Sequence, residues 1–171
     1  MAGRIIVIMG TSSAGKTTLI KALREDMPEP FCLYSADQLT DGNFAAVSQV
    51  RDRSAPEELA AFHRGFSRSV VAFADAGNDL IVELVIETQE QAQDLKEALA
   101  GHDVFWVWVS APKPELERRE KERGDRRTGA ALHYLSHKAF LTYDLEVDTT
   151  ELMEDNVFKI ADAWRNRRSP A

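Results

Sequence analysis

Residues 5–18, IIVIMGTSSAGKTT, constrain the fold more than any other stretch of the chain. An apolar run from Ile5 to Met9 breaks into a small-residue loop, Gly10-Thr11-Ser12-Ser13-Ala14-Gly15. Lys16, Thr17 and Thr18 then open a helical pattern. The spacing G-x-x-x-x-G-K-[ST], after a strand and before a helix, is that of a phosphate-binding loop. Two glycines let the backbone turn tightly, so successive amides face one anion. The positive end of the helix dipole adds to the same field. In this geometry Lys16 reaches the β- and γ-phosphates of a nucleotide, and Thr17 offers its hydroxyl to Mg2+. The competing reading is a Gly/Ser turn without a ligand, which the strand-loop-helix setting disfavours.

The remainder reads as an α/β chain. Strands are expected over 4–9, 31–35, 79–86, 103–109 and 143–149, and the wholly apolar first one belongs at the centre of a parallel sheet. Helices are expected over 16–26, from the Ser54/Glu57 capping box to about Ala76, and from Thr88 (with Gln91) to Leu99. Further helices are expected after Pro112, over 130–140, and beyond a cap at Thr149 or Thr150. Leu59, Phe62, Phe66, Val70 and Phe73 step by three and four, as do Met153, Val157, Ile160 and Trp164, so both sets read as core stripes. Trp106 and Trp108 point to one face of their strand. Residues 40–55 are polar and read as a substrate-facing loop or a short helix.

Several side chains carry candidate chemistry. Asp37 follows the second strand, at the edge where open α/β sheets bind ligands. There it is placed either to accept the proton of an attacking hydroxyl or to act as a helix cap or turn residue. Glu83 stands inside an apolar run and needs a partner such as Lys16, an arginine or magnesium-bound water, because burying an unpaired carboxylate is costly. The magnesium side of a phosphate-loop site is preferred for it over a structural ion pair, and Glu87 is the weaker alternative. Arg123, Arg126 and Arg127 gather around two glycines, which suits a lid that neutralises a phosphoryl group. The pairs Glu115/Arg119 and Glu117/Lys121 read as ordinary i,i+4 partners on an exposed helix. His63, Arg64 and Arg68 read mainly as flanks of the apolar stripe. His133 and His137 are four apart without a third ligand, which argues against zinc.

With 171 residues the chain suits one domain, 1–171, with an arginine lid near 123–129 and an acceptor-side loop near 38–55. The net charge of −7 opposes broad nucleic-acid or membrane binding. The single cysteine, Cys32, lies in an apolar stretch and reads as a buried, inert thiol. The first apolar run is too short for a signal segment, and no stretch is long enough to span a membrane, so a cytoplasmic location is expected.

Four blocks in order, GTSSAGKTT at 10–18, SADQL at 35–39, ERGDRRTGAA at 122–131 and YDLEVDTT at 143–150, resemble the chloramphenicol phosphotransferase-like family of P-loop kinases. The resemblance implies a nucleoside-kinase-like fold, with a parallel sheet of about five strands flanked by helices. It also implies ATP- and Mg2+-dependent phosphorylation of a small-molecule hydroxyl. Asp37 matches the family's proposed base, and Arg123, Arg126 and Arg127 match its lid. Asp148, Thr149 and Thr150 fall where such kinases lay the chain near adenine. The segment after Asp37 is shorter than in the chloramphenicol-modifying enzyme, and Leu84 stands where that enzyme has a second acid. Both departures touch the acceptor side, so the acceptor is left open. A kinase of nucleotides or nucleic-acid ends, and a nucleotide-binding switch, are the rival readings.

Overall fold

The computed structural model describes residues 1–42, 44, 56–123 and 129–167. Five parallel strands, β1 (Ile5–Gly10), β2 (Cys32–Ser35), β3 (Leu80–Glu83), β4 (Val104–Ser110) and β5 (Leu145–Asp148), pair in the order β2-β3-β1-β4-β5. Helices α1 (Lys16–Asp26) and α7 (Met153–Asn166) cover one face. Helices α3 (Pro56–Asp75) and α4 (Gln89–Ala98) cover the other. Among the described residues three further helices, α2 (Ala36–Asp41), α5 (Lys113–Arg123) and α6 (Ala130–Leu135), lie in the connections.

β1 is central and buried at every position. Its side chains alternate between two cores. Ile6 and Ile8 join Leu19, Ile20 and Leu23 of α1 and Val157, Ile160 and Trp164 of α7. Ile5, Val7 and Met9 join Phe66 and Val70 of α3 and Ala92 and Leu95 of α4. Each such aliphatic side chain gains about 1.5–3 kcal/mol on leaving water. The chain leaves β1 into α1 on one face and leaves β3 into α4 on the other. Adjacent strands whose connections diverge in this way open a crevice at their carboxyl ends.

The structure corrects several local expectations. Cys32 is exposed rather than buried, because β2 is an edge strand with its outer positions open. β3 stops at Glu83, although Leu84 and Ile86 stay buried beyond it. Phe73 ends the α3 stripe half-exposed against the Tyr34 ring. The 130–140 segment splits into α6 and a 3-10 helix, Ser136–Phe140. Neither Thr149 nor Thr150 caps the last helix, which starts after Leu152; both make other contacts, described below. Ser54, of the expected capping box, lies outside the described residues. The Thr88 cap forms, its hydroxyl accepting from the Gln91 amide at 3.2 Å. Trp106 and Trp108 share one core. Arg167, just past α7, lies 3.2 Å over the Trp164 ring and pairs with Asp103 at 2.7 Å. Among the described residues no helix is long and apolar enough to cross a membrane.

Candidate active site

The loop after β1 is fixed by backbone geometry that its glycines permit. A Cβ on Gly10 would stand 2.0 Å from the Val109 carbonyl oxygen, so only glycine lets β1 and β4 approach there. Gly15 has φ +87°, the left-handed region, and directly precedes α1. Ser13, at φ 61°, is the one non-glycine with positive φ among the described residues. Such a conformation costs on the order of 1–2 kcal/mol and points to a loop shaped for more than chain reversal.

The side chains of this loop are unevenly satisfied. Lys16 Nζ turns back to donate to the carbonyls of Thr11 at 2.8 Å and Gly10 at 3.3 Å. Thr11 Oγ1 and Ser13 Oγ are buried and make no hydrogen bond. Buried hydroxyls are normally paired, and phosphate oxygens are the partners that such a loop admits. Thr17 Oγ1 donates to Glu83 Oε1 at 2.9 Å. The fit to a magnesium nucleotide is therefore good: a hydroxyl and a carboxylate supply the hard oxygens that Mg2+ prefers, beside an anion cradle. Among the described residues the partner shown for Glu83 is the Thr17 hydroxyl rather than Lys16 or an arginine, because Lys16 turns back onto its own loop. Ser12 is half-buried, Ala14 is packed into the core, and Thr18 is exposed on the first turn of α1.

Asp37 sits on the same edge of the sheet, just beyond β2. It does not cap α2. That role falls to Ser35, whose Oγ accepts from the Asp37 amide at 3.2 Å while Gln38 Oε1 accepts from the Ser35 amide at 3.0 Å. The Asp37 side chain is left exposed in the first turn of α2. β3 lies between the Asp37 strand and the phosphate-loop strand, in register Ser35↔Glu83↔Ile8. Glu87, past the end of β3, accepts from the Tyr134 hydroxyl at 3.1 Å. His63 of α3 belongs to the same neighbourhood: burial pushes its pKa down, and Glu87 partly offsets this. A cavity of about 10 Å3, room for roughly one water, lies between Gly10, Ile86, Tyr134 and His137. His137 is held as a packing residue, its Nδ1–H donating to the Ile86 carbonyl at 2.9 Å and its ring stacked on Phe140.

The opposite flank of the loop holds a residue that sequence reasoning missed. Arg119 of α5 donates to Thr149 Oγ1 at 2.7 Å, to the Thr149 carbonyl at 3.1 Å and to the Ala14 carbonyl at 3.4 Å. The Thr149 hydroxyl donates to the Ala14 carbonyl at 2.7 Å. Arg119 also makes the expected bond to Glu115, at 2.6 Å. That local pair was the legible part; the contacts to residues 14 and 149 cross the fold. Asp148 Oδ1 accepts from the amide of Thr150 at 2.8 Å and from its hydroxyl at 2.7 Å, which shapes the turn after β5. Arg123 ends α5 with its side chain exposed, while Arg126 and Arg127 lie outside the described residues.

With this geometry in view, the chain matches the model of the chloramphenicol phosphotransferase-like protein family over residues 3–165. A protein of Mycobacterium tuberculosis (strain H37Rv), provisionally named an O-phosphotransferase, is 30% identical over 179 aligned residues, covering 86% of this chain and 76% of the relative. Among solved structures, the APS kinase of Mycobacterium tuberculosis in complex with AMPPNP and APS superposes with TM-score 0.75 at 20% identity, covering 96% of this chain and 99% of that one. Shikimate kinase from Bacteroides thetaiotaomicron gives TM-score 0.70 at 16% identity, covering 95% and 98%. These two likenesses establish the fold as that of P-loop kinases.

Proposed function

The chain belongs to the chloramphenicol phosphotransferase-like family, and from that premise we propose that it is an ATP- and Mg2+-dependent kinase phosphorylating a hydroxyl of a small molecule. Family and fold together make it a phosphotransferase. The observation that carries the finer reading is the pair of buried, unpartnered hydroxyls, Thr11 Oγ1 and Ser13 Oγ, in a loop lined with amides.

In this reading Gly10, Thr11, Ser12, Ser13, Ala14, Gly15, Lys16, Thr17 and Thr18 wrap the triphosphate. Lys16 exchanges its two loop carbonyls for phosphate oxygens. Thr17 and Glu83 would hold the magnesium ion, which when bound would neutralise charge on the phosphates. Asp148, Thr149 and Thr150 form the adenine side. Asp37 orients the acceptor alcohol and takes its proton as the oxygen–phosphorus bond forms, while the bond from the γ-phosphorus to its bridging oxygen breaks and ADP leaves. Arg123, Arg126 and Arg127 stabilise the charge spread over the transferring group. Phosphoryl transfer needs mainly this positioning and electrostatic work.

The test incubates the protein with Mg2+ and γ-labelled ATP against a panel of hydroxylated antibiotics, nucleosides and short RNAs. Magnesium-dependent label on a small molecule is the expected result. Label confined to RNA ends would move the protein to the nucleic-acid kinases. Tight nucleotide binding without transfer to any acceptor would make it a switch.

A further inference from the structure

Helices α3 and α4 pack side by side over one core, and their outward faces leave a groove of about 220 Å3 between them. Arg64, Ser67 and Arg68 line the α3 wall, and Asp94, Glu97 and Ala98 line the α4 wall. Two guanidiniums therefore face two carboxylates, yet the opposite charges do not meet. Among the described residues neither arginine forms an ion pair. Ser67 turns its hydroxyl back to the His63 carbonyl at 3.0 Å, and Glu97 accepts from Gln93 on its own helix at 2.6 Å.

The outward face of α3 has a second peculiarity. Gly65 lies in the interior of this 20-residue helix, where glycine is unfavourable because of the backbone freedom it loses. A Cβ at Gly65 would meet nothing within 4 Å, so no neighbour among the described residues requires its absence. Ala61 and Ala72 are exposed beside it, and with Arg68 these positions step by four, three and four along one face. Small residues on an exposed helix face leave room for another backbone to come close.

We propose that this face is where a second copy of the chain docks, in a two-fold contact that sets Arg64 and Arg68 of one protomer against Asp94 and Glu97 of the partner subunit. The arrangement of charge selects the occupant. Across a two-fold axis each contact is made twice, once in each direction. A patch with basic residues on one helix and acidic residues on the next is then complementary to itself, and both rows are satisfied at once. A partner of one sign is attracted to one wall and repelled by the other. Nucleic acid is further disfavoured by the net charge of −7. The same net charge makes two copies repel each other over most of their surface. This patch, with two charges of each sign, is a place where they can approach. Gly65 and the two alanines set the closeness of that approach. The proposal is independent of the kinase reading, because it stands or falls on association and not on label transfer.

Sedimentation equilibrium over a concentration series at low salt reads the dissociation constant. The unaltered chain is expected to form a dimer that weakens as salt is added, because the pairs are at the surface. Arg64→Glu/Arg68→Glu alone, and Asp94→Lys/Glu97→Lys alone, set like charges against each other. Each is expected to raise the dissociation constant at least about tenfold. An equimolar mixture of the two variants restores opposite signs at every pair, so heterodimer is expected within about threefold of the parent constant. That recovery also shows both variants to be folded. Gly65→Gln adds a side chain that the single chain has room for. It is expected to weaken association about tenfold or more while leaving the monomer's thermal midpoint no lower, since glutamine is the better helix former. A parent that stays monomeric, which would leave the face to another protein or to solvent, overturns the proposal. So does a dimer indifferent to the charge reversals or to Gly65→Gln, and so does a mixture that stays monomeric.

Discussion

The Thr17 hydroxyl on the first turn of α1 donates to the Glu83 carboxylate at the last residue of β3, 2.9 Å away, and so joins the two strands between which the crevice opens. This bond brings a hydroxyl and a carboxylate together beside the phosphate loop. Glu83→Gln keeps the size and can keep the contact, but removes the charge. The Mg2+ concentration giving half-maximal label transfer is expected to rise at least tenfold, in the range found when groups supporting a metal site are altered. An unchanged magnesium requirement would return Glu83 to a structural role.

Arg119 links three segments that are distant in sequence: Glu115 on its own helix, Ala14 in the phosphate loop and Thr149 after β5. Arg119→Ala is expected to cost about 1.5–3 kcal/mol of stability, the usual range for hydrogen bonds made by a charged group. It is also expected to weaken ATP binding several-fold by loosening the loop from its flank. Arg119→Lys should not restore either, because one ammonium cannot span the Thr149 hydroxyl, the Thr149 carbonyl and Ala14 as the guanidinium fork does. Thermal unfolding and nucleotide titration of both variants check this.

What the sequence made legible follows from the range of the interactions involved. The phosphate loop and its flanking strand and helix were readable because their determinants are contiguous. The position of Asp37 just past the carboxyl end of β2 was readable from the apolar strand before it. That Ser35 rather than Asp37 caps α2 depends on a hydrogen-bond choice which the SADQ block leaves open. Cys32 was misjudged because an apolar tetrapeptide reads the same on a central and on an edge strand, and strand order is a tertiary fact. Arg119 was hidden for another reason. In a run so rich in charge, it has a plausible partner four residues away, while the contacts that distinguish it reach across 30 and 105 residues. The roles of Arg126 and Arg127 still stand on sequence alone.

His63 gives the fold a pH dependence with a definite sign. Its pKa is lowered from 6.5, first by burial, with Glu87 acting in the opposite direction. Below pH 6.5 the unfolded chain therefore takes up a proton that the folded chain resists, and stability falls as the pH drops from 6.5 towards the depressed folded value. His63→Gln removes this titration. Chemical denaturation at pH 7.5 and at pH 5.5 should show a smaller loss of stability in the variant than in the parent. An equal loss would mean that the imidazole is as easily protonated in the fold as outside it.

The central claim is that the loop at 10–18 holds ATP while Asp37, across β3, serves the acceptor. The most direct measurement compares Lys16→Ala and Asp37→Asn for ATP affinity and for label transfer to one acceptor. The account predicts that Lys16→Ala loses both. It predicts that Asp37→Asn binds ATP within about twofold of the parent but turns over about 10²–10⁴ times more slowly, the range for removal of a general base. Near-full turnover by Asp37→Asn, or undiminished ATP binding by Lys16→Ala, would contradict it.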